Sequence, residues 1–419
     1  MILVSLGCAA IRNHGCPDVN YCDSWSVAGP SDTIGHLIQL ETQFIEMLLA
    51  LPICLGYRLG MATKRWIVPW KDSVVKPAFY HCISRVVDRK LVFGPEEKEK
   101  FRAFMRMQEN FTGCRVVAYC LMCNHLHLLV EVVPMPEGGF TDEGLLARLG
   151  AIYNEAEVAV VAGELAEARQ SGVAKRVAEI HGRYVYRMHD LSEFMKTLMQ
   201  RFTKWFNRTH SRTGNLWEDA FKSVIVEDGV AAKTIAAYID LNPVRAGMVK
   251  DPADYRWSSY GEAIGGGAKG DGKKARAGLV RALRAHTGCG ADATLWTQDV
   301  AREYRLILMA GAAEKLEVRV GRDGRAETKR KRQGMSAEEV AGEKEKQGDI
   351  PLGKMLRCRV RYFTDGAVIG SRSFVNEAFA SARERFGSRR KNGARKMRGS
   401  GAAAAGTLWS ARDLQKRIG

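Results

Sequence analysis

Residues 64–260 show the clearest alternation of apolar and polar positions in the chain. Two apolar runs, Phe79–Val86 and Phe221–Val226, have the length and the aromatic and β-branched content of strands. Apolar residues recur at helical spacing in Pro95–Phe111 and in Leu191–Asn207, which predicts two amphipathic helices. Strands and helices therefore alternate in this region.

Two further apolar runs predict a β-hairpin in the middle of the region. They are Cys114–Met122 and His125–Val133, and only the turn Cys123-Asn124 separates them. A last helix is predicted from about Gly229 to Asn242. The order β-α-β-β-α-β-α predicts an α+β fold, a ferredoxin-like antiparallel sheet backed by helices.

Changes of composition divide the rest of the chain. Residues 134–190, rich in Ala, Glu and Arg, predict a helical insertion, and the charge-dense stretch 322–350 predicts partial disorder. Translation could also start at Met61. The predicted division is an uncertain N-terminal segment (1–60), a main domain (61–262), a Gly-rich linker (263–275) and a basic, mainly helical accessory region (276–419).

The charge balance narrows the class of partner. The 419 residues contain 64 Lys and Arg against 47 Asp and Glu, a net charge of +17. This surplus favours a polyanion, either nucleic acid or an anionic membrane surface. No apolar run reaches the roughly 18–20 residues of a membrane span. The ten cysteines follow no disulfide pattern, so we expect a reducing, cytoplasmic environment.

His125 and His127 are the first candidate functional residues. Side chains alternate along a strand, so both point to one face, about 7 Å apart along the chain. Two imidazoles on one face can chelate a divalent ion. For an isolated His-x-His pair, two hydrogen-bonded or exposed histidines are an equally good interpretation.

Tyr238 and Asn242 are the second pair. Positions i and i+4 share a helical face, and Pro243 disfavours helical geometry at Asn242, so the helix should end or kink there. A lone tyrosine on such a helix is more simply explained as a residue at the edge of the core.

Several motifs follow one another in order across residues 64–260. They are Asn124–Leu129, Phe202–Arg208, Leu216–Ser223, Tyr238–Gly247 and Tyr255–Tyr260. Together they resemble the single-tyrosine HUH transposases, most closely the REP-associated (RAYT) branch. This sequence departs from the family pattern at Cys123, where proline is frequent, and at Ala220, where a basic residue is frequent.

The resemblance implies a fold and a chemistry. It implies the HUH endonuclease fold, a metal (Mg²⁺ or Mn²⁺) bound by His125 and His127 with Asn242 as a third ligand, and Tyr238 as nucleophile. The activity implied is that of a nucleoid-associated transposase that cleaves single-stranded DNA near hairpins through a 5′-phosphotyrosine and then transfers the strand. Family members often form homodimers in which one subunit's tyrosine can serve the other's histidines.

Basic and aromatic residues could contact DNA. The basic candidates are Lys196, Arg201, Lys204, Arg208, Lys222 and Arg245. The first four recur at helical spacing. Trp205, Trp217 and Trp257 could stack on bases, although core packing is favoured for at least two of them. His81 could line the site, although a packed core histidine is favoured.

Three alternatives remain open. Cys120, Cys123, His125 and His127 superficially resemble a zinc site, although strand alternation would point Cys120 away from the other three. The protein could be a catalytically silent, domesticated DNA hairpin-binding protein. It could also be a histidine-based phosphohydrolase, although such enzymes usually have a longer histidine series.

Overall fold

The computed structural model describes much of the chain from Trp66 onwards. The described residues are 66–265, 272–284, 295–312, 315–320, 326–332, 336, 338, 341–342, 361–364, 367–386, 388, 390–397 and 407–411. They all belong to one compact unit, Ala62–Gly419. The N-terminal segment 1–60 lies outside the described residues.

The strands and helices of residues 66–245 follow the predicted order. They are β1 (Ala78–Arg85), α1 (Pro95–Thr112), β2 (Arg115–Leu121), β3 (His125–Val132), α2 (Asp142–Leu149), α3 (Glu155–Gln170), α4 (Ala174–Val185), α5 (Leu191–Thr209), β4 (Lys222–Val226), α6 (Val230–Asp240) and α7 (Asn242–Arg245). The helix through Tyr238 ends at Asp240, and Pro243 lies in the first turn of the short helix that follows. Proline is tolerated there because the first helical N–H groups have no partner within the helix.

The first four strands form an antiparallel sheet in the order β2-β3-β1-β4. The central pair aligns Ile83 with His127 and Arg85 with His125. This order, with α1 and α5 as the connecting helices, is that of a ferredoxin-like βαββαβ unit. The predicted α+β class is confirmed.

Each face of the sheet is covered by a different set of helices. Leu126, Leu128 and Val130 of β3 pack with the apolar residues of α1 and α5. On the opposite face, Leu129 packs with Ile235 and the rest of α6. His125, His127 and Leu129 alternate with the first set, so both histidines point towards the α6 side of the sheet.

The predicted helical insertion is α2, α3 and α4. Leu145, Leu165 and Ile180 form a separate apolar cluster that reaches the main body at Phe111, the end of α1. Since these side chains bury one another, the insertion carries its own core and leaves the sheet order unchanged.

Residues beyond 258 add further elements. They are α8 (Ser259–Gly265), α9 (Lys273–Arg284), α10 (Gln298–Ala312), β5 (Lys315–Val320), β6 (Ala326–Arg332), α11 (Arg361–Thr364), β7 (Val368–Gly370), α12 (Arg372–Ser381), β8 (Arg395–Lys396) and β9 (Trp409–Ala411). β7 pairs in parallel with β4, and the sheet continues through β9 to β8. β5 and β6 form a separate antiparallel pair.

The C-terminal region therefore contains strands that were not expected, beside the predicted helices. It contributes three strands to the central sheet, and β6 lies within the stretch expected to be partly disordered. Strands of two or three residues are too short to show a periodicity, which is why the sequence pattern did not reveal them. None of the helices in the described ranges is long and apolar enough to cross a membrane.

Helix α9, which begins within the predicted linker, packs directly on β2. A Cβ at Gly278 would lie 2.5 Å from the Val117 carbonyl oxygen, so only glycine permits this approach. Leu279 and Leu283 belong to the same core cluster as α6. The division of the chain at 263–275 remains a prediction, since both ends of that stretch are helical and residues 266–271 are not described.

Asp240, the last residue of α6, forms hydrogen bonds with the helices that follow. It is fully buried, and it accepts hydrogen bonds from the Tyr260 N–H (2.9 Å) and the Tyr304 hydroxyl (2.6 Å). Burial raises the pKa of its carboxyl to about 7, and these hydrogen bonds only partly offset that effect. The folded protein thus retains this proton at pH values where the unfolded chain has released it.

We predict that Asp240 makes the fold less stable as the pH rises. Its contribution is fully present below pH 4, the unfolded pKa, and is lost as the pH rises through about 7, a change of about 4 kcal/mol. Asp240→Asn can keep both hydrogen bonds, with the amide donating to the Tyr304 hydroxyl, and should show a smaller loss between pH 5 and 8. Urea unfolding at both pH values measures this, with exposed Asp72→Asn as control. An unchanged pH dependence in Asp240→Asn contradicts the prediction.

Candidate functional site

A cavity of about 460 Å³ opens where β1, β3 and β4 meet helices α6 and α7. Its lining includes His125, His127, Tyr238, Asn242, Arg85, Arg89, Glu218, Asp219, Lys222 and Thr364. The predicted metal ligands and the predicted nucleophile therefore line one cavity. They come from a strand and from two consecutive helices of the same chain.

His127 is held by a second histidine. It is 3% exposed, and its Nδ1 lies 3.0 Å from Nε2 of the fully buried His81. The other nitrogen of His81, Nδ1, lies 2.9 Å from the carbonyl oxygen of Phe363 in α11. A carbonyl can only accept, so His81 Nδ1 carries the proton, its Nε2 accepts, and His127 Nδ1 donates. The lone pair of His127 is then on Nε2.

His125 is oriented by a different partner, Asn124, and has the same tautomer as His127. Its Nδ1 lies 2.7 Å from Oδ1 of Asn124, whose amide N–H donates to the Arg89 carbonyl oxygen at 2.9 Å. That second bond fixes the amide orientation, so Oδ1 must accept from His125 Nδ1–H. His125 also has its lone pair on Nε2, the atom most often used to bind a metal.

Burial keeps the histidines neutral. It lowers the pKa of His81 and of His125 to about 4, the latter with help from the positive charge of Arg85. The pKa of His127 is also well below its ordinary value, first because of burial and then because of the two neighbouring imidazoles. Neutral imidazoles are the form that binds metal ions.

Tyr238 lies beneath the cavity with little exposed surface. It is 2% exposed, and its ring centroid lies 5.9 Å from those of His81 and His127. The ring of Phe363 packs at 4.6 Å, and the guanidinium carbon of Arg245 lies 4.7 Å from the ring centroid. Arg245 also donates to the Tyr238 carbonyl oxygen (3.2 Å), so the tyrosine is held by its ring and by its backbone.

Asn242 presents its oxygen to the cavity. Its amide nitrogen donates to the carbonyl oxygens of Tyr238 (3.3 Å) and Ile239 (3.1 Å), at the end of α6. These acceptors require the NH₂ group, so Oδ1 is the atom left for a ligand. Two imidazoles and one side-chain amide thus line the same cavity, and their free nitrogen and oxygen atoms are candidate ligands for a divalent ion.

Charged residues surround the mouth of the cavity. Arg85, Arg89 and Lys222 are exposed cations that could meet a phosphate. Glu218 and Asp219 are exposed carboxylates at the same mouth, and the sequence analysis did not single them out. The Glu218 N–H donates to the Arg85 carbonyl oxygen (2.9 Å), which places this acidic pair beside β1.

The predicted basic stripe of α5 lies elsewhere. The helix packs on the sheet face opposite the histidines, so Lys196, Arg201, Lys204 and Arg208 do not line the cavity. Lys196 forms an ion pair with Glu193 (2.6 Å). A role for this stripe in DNA binding stays a prediction, separate from the cavity.

The other aromatic candidates are packed. Trp217 is 4% exposed and donates to the Thr203 hydroxyl (3.0 Å), and Trp257 donates to Glu99 (2.9 Å). Trp205 is partly buried against the core. These contacts favour core packing over base stacking for all three.

The cysteines do not form a zinc site with the histidines. Cys120 pairs in register with His127 and packs on the α6 side, contrary to the expected alternation, because the chain reverses between β2 and β3 and directly opposed residues of an antiparallel pair share a face. Cys123 instead faces α1, where Lys98 Nζ lies 3.8 Å from its sulfur. Burial raises the pKa of the Cys120 thiol well above its ordinary value. Within the described ranges, no three His, Cys, Asp or Glu side chains are grouped to hold a metal.

Comparison with known proteins finds a family match in the segment that contains both histidines. Residues 74–137, which contain β1, α1, β2 and β3, match the family described as "Transposase IS200 like". Among solved structures, the chain is similar to a REP-associated tyrosine transposase bound to a REP hairpin, with 12% identity over 48% of this chain and 83% of that chain, and a TM-score of 0.29. No curated protein matches the chain. The predicted resemblance is confirmed by the match to the IS200-like transposases over residues 74–137.

We predict that His125 stays neutral well below pH 6. A pH titration followed by NMR of the imidazole should give a pKa of about 4. Arg85→Gln should raise this value by removing a nearby positive charge, although burial keeps it below 6.5. Arg89→Gln, another cation at the same mouth, serves as the matched control. Titration of His125 near 6.5 in the unmodified protein would overturn the prediction.

Proposed function

We propose that this protein, similar to the IS200-like transposases over residues 74–137, is a metal-dependent single-strand DNA endonuclease and strand transferase. The observation that carries the proposal is the meeting of Tyr238, His125, His127 and Asn242 in one cavity. The cavity would provide a nucleophile and a neutral N₂O ligand set. All four residues come from one chain, so the proposed site needs no residue of a second copy, and homodimer formation stays a prediction.

The donor set can hold a divalent ion through mixed nitrogen and oxygen ligands. His125 Nε2, His127 Nε2 and Asn242 Oδ1 would hold Mg²⁺ or Mn²⁺ and leave positions open for a phosphate oxygen. A bound ion would supply charge neutralisation and orientation at the scissile phosphate. Glu218 and Asp219 at the mouth would raise the local concentration of divalent cations.

The chain's own residues supply the remaining chemistry. The Tyr238 oxygen attacks the phosphorus and loses its proton, and the bond to the 3′ oxygen breaks as that oxygen gains a proton. Arg245 places a positive charge against the ring that becomes anionic. The product is a 5′-phosphotyrosine and a free 3′-OH, and the covalent bond preserves the energy needed for later strand joining.

A folded single strand is the substrate that best fits this arrangement. The +17 net charge and the cations Arg85, Arg89 and Lys222 at the cavity mouth suit a phosphate backbone. The resemblance to the REP-associated branch favours a hairpin next to the cleaved strand. Such a substrate would be found with chromosomal DNA, in the nucleoid.

One observation favours a second candidate function, the binding of hairpin DNA without cleavage. Tyr238 is 2% exposed and covered by the Phe363 ring, so a phosphate cannot reach it unless these groups rearrange. A protein that only binds DNA needs no such rearrangement.

The decisive prediction concerns a covalent adduct. Labelled single-stranded hairpin DNA with Mn²⁺ or Mg²⁺ should give a protein–DNA band on a denaturing gel, and Tyr238→Phe should abolish it while retaining DNA binding. Tyr255→Phe, another buried tyrosine, is the matched control and should still form the adduct. Binding without any adduct across varied hairpins supports the second function. Adduct formation by Tyr238→Phe assigns the nucleophile elsewhere.

Metal binding can be measured without DNA. Titration calorimetry of the full chain with Mn²⁺ should show binding that His127→Ala weakens by more than about tenfold, since even a group behind a ligand contributes that much. Asn242→Ala should weaken it as well. His181→Ala, in the insertion, is the matched control because its ring pairs with Asp142 instead. Equal affinities in all variants would rule out this ligand set.

A further inference from the structure

Three groups form a hydrogen-bonded series that ends at the cavity. The Phe363 carbonyl accepts from His81, and His81 accepts from His127. The two imidazoles stack with centroids 5.2 Å apart and planes 23° apart. Residues 81 and 363 are 282 positions apart, so the series joins β1 to the C-terminal region.

The donor and acceptor roles in this series are fixed by the group at one end, the Phe363 carbonyl. Of the three groups, the backbone carbonyl of Phe363 is the one that cannot change its role, because it has no proton to donate. It requires the proton of His81 on Nδ1, which makes His81 Nε2 an acceptor and places the proton of His127 on Nδ1. Without that carbonyl, both rings could turn their hydrogen bonds the other way, and the His127 lone pair could lie on Nδ1.

We infer that His81 is a positioning residue that holds His127 in the tautomer with its lone pair on Nε2, and that the C-terminal region sets this tautomer through the Phe363 carbonyl. The inference rests on the proposed function in one respect, the role of His127 as a metal ligand. It gives His81 a role that core packing does not require.

The carbonyl is positioned by contacts of α11 and of the residues that follow it. The Phe363 ring is fully buried against Tyr238. Just beyond, β7 pairs with β4, and the Ile225 N–H donates to the Ala367 carbonyl oxygen (2.9 Å). Glu227, directly after β4, accepts hydrogen bonds from the backbone and hydroxyl of Ser371 at the start of α12. The acceptor for His81 therefore has a defined position relative to the sheet.

His125 provides an internal reference. It reaches the same tautomer through Asn124, which directly precedes it in the turn, and no C-terminal residue is involved. A change at His81 should therefore affect His127 and leave His125 unaltered. A general loosening of the fold would affect both rings.

The tautomers can be observed directly in the metal-free full chain by long-range ¹H–¹⁵N NMR of ¹⁵N-histidine-labelled protein. His81, His125 and His127 should all carry their proton on Nδ1. In His81→Phe, which has no acceptor, His127 should shift towards the Nε2–H form while His125 stays unchanged. In His81→Gln, one amide can donate to Phe363 and accept from His127, so the Nδ1–H form should return. Phe363→Leu, which keeps the carbonyl, should leave His127 as it is.

Mn²⁺ affinity gives the second measurement. His81→Phe should bind Mn²⁺ about 10–100-fold more weakly than the unmodified chain, and His81→Gln should recover most of the difference. If the unmodified chain binds Mn²⁺ but His81→Phe retains both its affinity and the His127 tautomer, the inference is overturned. If the unmodified chain binds no Mn²⁺, the proposed metal site fails, whereas the tautomer result still decides the role of His81.

Discussion

The two-residue repeat of β3 is the constraint on which the candidate site depends. It places His125 and His127 on the face that α6 covers, while Leu126 and Leu128 point to the opposite core. A shift of one residue in the pairing of β3 with β1 would turn both imidazoles into the apolar layer beneath α1 and α5. The buried leucines therefore fix the register, and the register aims the histidines.

Helix α6 and its C-terminal end position the other two candidate residues, Tyr238 and Asn242. Its apolar residues pack on the same face of the sheet, which brings Tyr238 to the histidines, and its end at Asp240 exposes the carbonyls that orient Asn242. The stop caused by Pro243 thus has a chemical consequence, because a continuous helix would satisfy those carbonyls with its own N–H groups. The local sequence at residues 238–245 accounts for the positions of both the candidate nucleophile and the third candidate ligand.

Much of this could be predicted from the sequence because the relevant signals are local. The hairpin of β2 and β3, the helix through Tyr238 and its end before Pro243 depend on neighbours a few positions apart. The missing parts depend on distant residues. The partner of His81 lies 282 positions away, β7, β8 and β9 are only two or three residues long, and the side on which Cys120 lies depends on the chain reversal between β2 and β3. Glu218 and Asp219 come near the histidines only through the fold.

Because β7 pairs with β4, the candidate site can be fully assembled only after the C-terminal strands have been synthesised. The ribosome has synthesised His125, His127, Tyr238 and Asn242 more than a hundred residues before it reaches Phe363 and β7. Non-local strand pairing of this kind closes late, after the entropy of a long intervening loop has been overcome. A nascent chain thus carries all the reactive groups but lacks the acceptor that orients one of them. Synthesis of the C-terminal strands would be the step after which the site is fully assembled.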